Sequence, residues 1–270
     1  MIPGGHTTIG LVADVHGSGP AVVLLHGQPG TGADMDPLVG GLEGDFTVVV
    51  PDRPGYGRTG GRARGFRANA AAVVALLDRL KLDRAVVVGH SWSGGVAIAL
   101  AQDHADRVRG MVLMASVGPG EPLGRLDRLL AVPPIGSAVA AVTLAMASRA
   151  VSLPPIRQRL ERRLGLVRDQ ALTAVADGWR HHAWRSFVIE QRALLHELPQ
   201  LAPGLAAIDA PTTVMLGEAD RIVPPAIGER LAGLIGARLI RLPGAGHMLT
   251  YERPDAVVEA VREVAARRPD

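Results

Sequence analysis

Six short runs of hydrophobic residues recur along the chain, and each run ends in turn residues. They are continuously apolar and rich in β-branched side chains, without the alternation typical of a strand that has one solvent-exposed face. The runs are Ala21–Leu25, Phe46–Val50, Ala85–Val88, Gly110–Ala115, Thr212–Leu216 and Ala237–Leu242. This pattern predicts β-strands of a sheet that is covered on both of its faces.

Helical patterns lie between the predicted strands. They span Ala68–Leu82, Gly94–His104 and Pro254–Arg268, and the last of these begins with a proline suited to the first turn of a helix. Because strands alternate with helices, the sequence predicts an α/β fold with a mostly parallel central sheet flanked by helices.

One interval, from Ser116 to Ala210, breaks this alternation. It holds roughly ninety residues with no convincing strand, although a crossover between parallel strands needs only about a dozen. The sequence therefore predicts an inserted, mostly helical cap at residues 118–206. The core would then comprise residues 1–117 and 207–270.

Two segments bear on location. Met1–Gly10 lacks a basic region followed by an apolar stretch, so we expect no secretory signal and a cytoplasmic protein. Leu129–Ala147 is apolar and long enough to cross a bilayer, but Pro133, Pro134 and Gly136 interrupt it near its start. We therefore expect a buried helix or an apolar lid there, and no stable membrane span.

Composition narrows the classes of function. Hydrophobic residues make up 47% of the chain and charged residues 20%, which is typical of a folded globular protein. The absence of cysteine excludes disulfides, thiolate metal sites and a cysteine nucleophile. A net charge of +3 with 3% aromatic residues does not indicate a nucleic-acid partner. We expect a small-molecule substrate, no cofactor and no metal, and the sequence leaves the oligomeric state open.

The strongest chemical signal is the segment Gly89–Gly95, GHSWSGG, directly after a predicted strand and directly before a predicted helix. A serine at such a tight turn is held in a strained conformation with its hydroxyl exposed, and small flanking residues let neighbouring backbone pass closely. The usual pattern has glycine at the second small position, where this chain has Ser93. A plain glycine- and serine-rich loop is the alternative interpretation.

A serine nucleophile needs a base, and the base needs an orienting carboxylate. Asp220 follows the predicted strand TTVML, and His247 follows the predicted strand ARLIRL. Taken singly, the first is typical of a turn and the second of a loop. Because the loops after parallel strands share one edge of the sheet, we expect Ser91, Asp220 and His247 to meet there.

The segment HGQPG, at residues 26–30, follows the first predicted strand. Such a loop is suited to aim a backbone N–H at an oxyanion, and the residue after the nucleophile, Trp92, would supply a second N–H. Its glycine and proline content is equally compatible with a plain turn.

Together these motifs resemble those of capped, single-domain α/β-hydrolase-fold proteins. The matching segments span nearly the whole chain except the insertion: HGQPG, DRPGYG, GHSWSGG, GEADRIVP and GAGHM. The resemblance implies Ser91 as nucleophile, His247 as base and Asp220 as its partner. It also implies an oxyanion hole made by the backbone N–H groups of Gln28 and Trp92, with the insertion as a lid.

The sequence thus predicts a serine hydrolase that cleaves an ester-like bond of a small, fairly hydrophobic substrate through a Ser91 acyl-enzyme. Serine at this turn counts against haloalkane dehalogenases and epoxide hydrolases, whose resemblance would require aspartate. Carbon–carbon bond hydrolases usually carry tryptophan after the catalytic histidine, where this chain has Met248. That difference counts against them without excluding them.

Two further alternatives stay open. Prolyl iminopeptidases match Trp92 but would need acidic lid residues to hold a substrate amine. The candidates form no recognisable motif and are Asp127, Glu161, Asp169, Asp177, Glu190 and Glu197. A small-molecule receptor that keeps the triad but turns over very slowly is the alternative outside enzymes.

Overall fold

The computed structural model describes residues 10–118 and 183–267, together with scattered positions between residues 132 and 159. Within these residues, seven strands form one sheet in the order β1-β3-β2-β4-β5-β6-β7. Only β1 runs antiparallel to its neighbour there, and the other pairs are parallel. The strands are β1 Ala13–His16, β2 Ala21–Leu25, β3 Thr47–Pro51, β4 Ala85–His90, β5 Val108–Met114, β6 Thr212–Gly217 and β7 Arg238–Leu242.

Helices cover both faces of this sheet. Those described are α1 Asp36–Leu42, α2 Phe66–Leu80, α3 Ser93–Asp103, α4 Ala183–His196, α5 Pro225–Ile235, α6 Leu249–Glu252 and α7 Pro254–Ala266. Buried side chains of α2, α3 and α5 form one hydrophobic core, and those of α1 and α7 form a second core on the opposite face. The predicted α/β class with a mostly parallel, helix-flanked sheet is confirmed.

The central strand β2 shows why its sequence is continuously apolar. Val23 and Leu25 belong to the first core, whereas Val22 and Leu24 belong to the second, and all four side chains are fully buried. Burying each such side chain stabilises the fold by about 1.5–3 kcal/mol. Because water reaches neither face of this strand, a polar side chain without a hydrogen-bond partner would be costly there.

The sequence analysis does not predict β1, α1, α5 or α6. Strand β1 is a half-exposed edge strand, so it has no apolar run to reveal it. Helix α1 is seven residues long and contains two glycines. A Cβ on Gly41 would lie 2.8 Å from a methyl group of Val258, so α1 depends on close packing against α7 rather than on helix propensity. The predicted elements differ from the observed ones by one or two residues at their ends.

The predicted division into a core of residues 1–117 and 207–270 and a cap of residues 118–206 stays a prediction, since most of the cap range lies outside the described residues. Its described C-terminal part comprises α4 and a 3₁₀ segment, Leu198–Ala207. The apolar run Leu129–Ala147 lies almost wholly outside the described residues. In the described part of the chain, no helix is both long and apolar enough to span a bilayer.

Candidate active site

Ser91 occupies the turn between β4 and α3. Its φ is +54°, in the left-handed region that non-glycine residues seldom adopt. The surrounding backbone holds it there, because its N–H donates to the carbonyl of Met114 at 2.9 Å and its carbonyl accepts from Gly94 at 3.0 Å and Val117 at 3.2 Å. The strain expected for a nucleophile at such a turn is present at this residue.

The residues on either side of Ser91 must be small because neighbouring atoms lie close to them. A Cβ on Gly89 would lie 2.6 Å from the carbonyl oxygen of Ser93, and one on Gly94 would collide with the side chain of Ser116. Ser93, which replaces the usual glycine, is fully buried, and its hydroxyl donates to the carbonyl of His26. The departure from the usual pattern therefore fastens the start of α3 to the loop after β2.

The structure brings together the three side chains that the sequence analysis singled out. Nε2 of His247 lies 3.0 Å from Oγ of Ser91, and Nδ1 of His247 lies 2.8 Å from Oδ2 of Asp220. All three residues are at least 93% buried. Because the carboxylate accepts a hydrogen bond from Nδ1–H, the lone pair of the ring lies on Nε2, which faces the hydroxyl of Ser91.

The Asp220 carboxylate is fixed by its own loop. Its Oδ1 accepts hydrogen bonds from the N–H groups of Ile222 at 2.8 Å and Val223 at 3.0 Å, which leaves Oδ2 directed at His247. This arrangement selects one rotamer of the carboxylate before any substrate is bound.

Glu252, in α6, holds the loop that carries His247. Its two carboxylate oxygens accept from the N–H of Gly246 at 2.7 Å and the N–H of Met248 at 3.1 Å, one on each side of the histidine. The sequence analysis missed this residue. The signal available was an acidic side chain at the end of the short helix that directly follows the GAGHM motif.

His90 supports the same loop from the other side. Its Nε2 lies 3.0 Å from the carbonyl oxygen of His247, so Nε2 carries the proton and donates it. Its buried Nδ1 has no hydrogen-bond partner among the described residues. Burial, and secondarily the neighbouring His247 ring, lowers the pKa of His90 to about 4, so its ring stays neutral near pH 7.

The loop after β2 lies against the serine turn. A Cβ on Gly27 would be 3.3 Å from Cβ of Ser91, so glycine allows this close approach. The backbone N–H groups of Gln28 and Trp92 donate to no acceptor among the described residues. The side chain of Gln28 donates instead to the carbonyl of Phe187 in α4, at 2.9 Å.

A buried ionic cluster stands behind this loop. The Arg53 guanidinium donates to the carbonyl oxygens of His26 at 3.0 Å and Gly27 at 2.8 Å, and it pairs with the carboxylate of Glu190 in α4. The hydroxyl of Tyr56 donates to the same carboxylate at 2.6 Å. Burial raises the pKa of Tyr56 well above its usual value, so the hydroxyl keeps its proton.

Two of the six acidic residues considered for the cap are described, and both serve internal contacts. Glu190 pairs with Arg53, and Glu197 accepts the N–H of Phe66 at 2.8 Å at the start of α2. The other four, and the adjacent pair His181–His182, lie outside the described residues. In the part that is described, no group of three or more His, Cys, Asp or Glu side chains could hold a metal ion.

Comparison with known proteins agrees with the fold described above. The model of the alpha/beta hydrolase family matches residues 22–260. Among curated relatives, a 2-hydroxy-6-oxo-6-phenylhexa-2,4-dienoate hydrolase of Burkholderia cepacia is 28% identical, with 89% of this chain and 85% of the relative covered. A haloalkane dehalogenase 2 of Mycobacterium bovis is 27% identical over 92% of this chain and 88% of the relative.

Among solved structures, the enol-lactonase of Burkholderia xenovorans LB400 is 25% identical. The two structures match with a TM-score of 0.75, over 95% of this chain and 96% of the lactonase. The relatives thus share a fold but act on different bonds.

Proposed function

Because the chain belongs to the alpha/beta hydrolase family, we propose that it is a serine hydrolase that cleaves an ester-like bond of a small, fairly hydrophobic substrate. The observation that carries the proposal is the pair of hydrogen bonds that His247 makes. Its Nδ1 lies 2.8 Å from Oδ2 of Asp220, and its Nε2 lies 3.0 Å from Oγ of Ser91. The serine also lies at a strained turn, where its oxygen is presented to a substrate.

The reaction proceeds through an acyl-enzyme. Nε2 of His247 takes the proton of Ser91 as Oγ attacks the carbonyl carbon, and Asp220 stabilises the imidazolium that forms. The tetrahedral intermediate collapses, and Nε2–H protonates the departing alcohol. Water then gives a proton to Nε2 of His247 and attacks the acyl carbon. The second tetrahedral intermediate collapses, the acid leaves, and Nε2–H returns its proton to Oγ of Ser91.

The developing oxyanion is stabilised by the backbone N–H groups of Gln28 and Trp92. Removing one such donor typically raises the barrier by about 2.7–4 kcal/mol. This role is consistent with the two amides having no acceptor among the described residues.

A serine nucleophile also favours some of the relatives' reactions over others. A carboxylate that displaces halide from an sp³ carbon gives an ester, which water can hydrolyse, whereas a serine would give an ether, which it cannot. Attack at a carbonyl carbon is therefore favoured over dehalogenation, despite the likeness to a dehalogenase. The lactonase likeness supports a carboxylic ester, open or cyclic.

Cleavage of a carbon–carbon bond next to a ketone is the second candidate. The relative from Burkholderia cepacia favours it, and Met248, in place of the usual tryptophan, counts against it. For the iminopeptidase alternative, the two described acidic candidates already have partners, Arg53 for Glu190 and the backbone N–H of Phe66 for Glu197.

The test is stopped-flow hydrolysis of p-nitrophenyl esters of increasing acyl length, with Ser91→Ala and the buried-serine control Ser116→Ala. We expect a burst followed by steady turnover in the wild type and in Ser116→Ala, and neither in Ser91→Ala. No release above the Ser91→Ala background would overturn the esterase proposal. A single slow turnover without steady release would favour a receptor.

A further inference from the structure

The peptide unit between Gly27 and Gln28 carries both the carbonyl of the first residue and the N–H of the second. In a planar trans peptide these two groups point in opposite directions. Any contact that fixes the carbonyl of Gly27 therefore also fixes the direction of the N–H of Gln28, one of the two proposed oxyanion donors.

Two donors fix that carbonyl. Nη2 of Arg53 lies 2.8 Å from it, and Nδ1 of His26 lies 2.9 Å from it. Because Nε2 of His26 accepts the backbone N–H of Arg53 at 3.0 Å, the proton of the neutral ring resides on Nδ1. Burial, and secondarily the Arg53 charge, lowers the pKa of His26 well below its usual value, so this tautomer donates at neutral pH.

Arg53 is in turn fixed by α4. Its guanidinium contacts both carboxylate oxygens of Glu190. Its Cζ lies 4.9 Å from the centroid of the Tyr56 ring and 4.6 Å from that of the Trp92 ring, over the face of each. The indole N–H of Trp92 donates to the backbone carbonyl of Glu190 at 3.2 Å. Glu190 of α4 thus contacts Arg53, which holds the Gly27–Gln28 peptide, and Trp92, which supplies the second proposed oxyanion donor.

We propose that Arg53 and Glu190 are positioning residues of the oxyanion hole, through which the docking of α4 orients the N–H of Gln28. This inference rests on the proposed function. Stability alone gives no reason for an ion pair here, since a buried pair replaced by apolar side chains of similar size often leaves a fold equally stable or more so.

This tolerance of apolar replacement lets an experiment distinguish a positioning role in catalysis from a role in stability alone. In the variant Arg53→Met/Tyr56→Phe/Glu190→Leu, the charges and the hydroxyl are replaced together, so no charge is left buried without its partner. The carbonyls of His26 and Gly27 lose the Arg53 donor, but each keeps one other, the hydroxyl of Ser93 and Nδ1 of His26 respectively. We expect its thermal unfolding midpoint to stay near that of the wild type. Its acylation rate constant for p-nitrophenyl butyrate should fall about 10²–10³-fold, as for loss of one oxyanion donor, with KM within about threefold.

A trifluoromethyl ketone provides a second readout, because its adduct with Ser91 places an oxyanion in the hole. In the triple variant its inhibition constant should rise by about the factor by which the acylation rate constant falls. Arg67→Met, which removes an exposed ion pair with Asp103, is the matched control and should leave both quantities unchanged. Arg53→Lys keeps the charge but lacks the planar fork, so it should show the same pattern if the triple variant does not fold.

The outcomes separate the two proposals. A folded variant with unchanged acylation and unchanged inhibition would overturn the positioning role and leave the serine hydrolase intact. A loss of similar size that appears in KM alone, with no change in the inhibition constant of the trifluoromethyl ketone, would also overturn it. Absence of Ser91 acylation in the wild type would overturn the proposed function, and the inference with it.

Discussion

The two sides of Ser91 are held by different kinds of contact. On the base side, Asp220 is fixed by amides two and three residues away, and the His247 loop is fixed mainly by Glu252, within six residues of each amide that it binds. One longer-range contact, from His90 to the carbonyl of His247, adds to these. On the oxyanion side, the Gly27–Gln28 peptide is fixed by the adjacent His26 and by Arg53, whose partner Glu190 lies 137 residues further along the chain.

This contrast separates local from long-range organisation. Contacts within one loop form whenever that loop takes its native shape, at little cost in chain entropy. The Arg53–Glu190 pair forms only when α4 packs onto the core. The base side should therefore depend mainly on its own loops, whereas the oxyanion side should depend on the residues 183–196.

The largest effect is expected on the base side. Asp220→Asn keeps an oxygen for the amides of Ile222 and Val223, but it no longer stabilises the imidazolium or the required tautomer. We expect kcat on a p-nitrophenyl ester to fall about 10⁴-fold, with a small change in unfolding temperature. A fall of less than tenfold would show that Asp220 does not orient His247.

The next effect distinguishes the long-range side. Glu190→Ala leaves the Arg53 charge buried without its partner, so we expect the free energy of unfolding to fall by about 3–5 kcal/mol. Urea denaturation measures it, and Asp103→Ala, which removes the partner of exposed Arg67, should cost less than about 1 kcal/mol. Equal losses would contradict the contrast between the two sides.

A third effect comes from Asp34, on the loop after β2. Burial raises its pKa to about 6 from 3.8. The folded state therefore holds the proton more tightly, and its contribution to stability is lost as pH rises from about 4 to about 6. As pH rises across that window, the free energy of unfolding of Asp34→Asn should increase by about 2–3 kcal/mol relative to that of the wild type.

Comparing the two proteins at each pH cancels the opposite contribution of His90. The pKa of His90 is about 4 in the folded state, below the usual value for histidine, so its contribution rises with pH over an overlapping range. Denaturant titrations at pH 4, 5, 6 and 7 provide the measurement. A pH-independent difference would show that folding does not shift the pKa of Asp34.

The smallest effect tests the Glu252 clamp. Glu252→Gln keeps one acceptor oxygen and loses the other, so one of the two amides beside His247 is left without its charged partner. We expect kcat to fall about three- to tenfold and stability by about 1 kcal/mol. A loss as large as that of Asp220→Asn would mean that Glu252 takes part in the chemistry itself.

The same contrast explains what the sequence could predict. Ser91, Asp220 and His247 follow apolar strands in short motifs, so parallel topology alone brings them to one edge. The DRPGYG motif is equally visible, but nothing local connects Arg53 to a glutamate in a segment whose placement the pattern does not specify. Strand β1 has no apolar run because it is a half-exposed edge strand, and α1 is short, contains two glycines and depends on packing against α7, so neither has a local signal.

Acyl-enzyme formation on Ser91 is the central claim, and its most direct test is mass spectrometry of enzyme quenched in acid during steady turnover of p-nitrophenyl butyrate. We expect the intact mass to rise by one butyryl group, and peptide mapping to place it on the segment that contains Ser91. An unmodified Ser91 peptide in enzyme that is releasing nitrophenol at its steady rate, or label on another residue, would contradict the account.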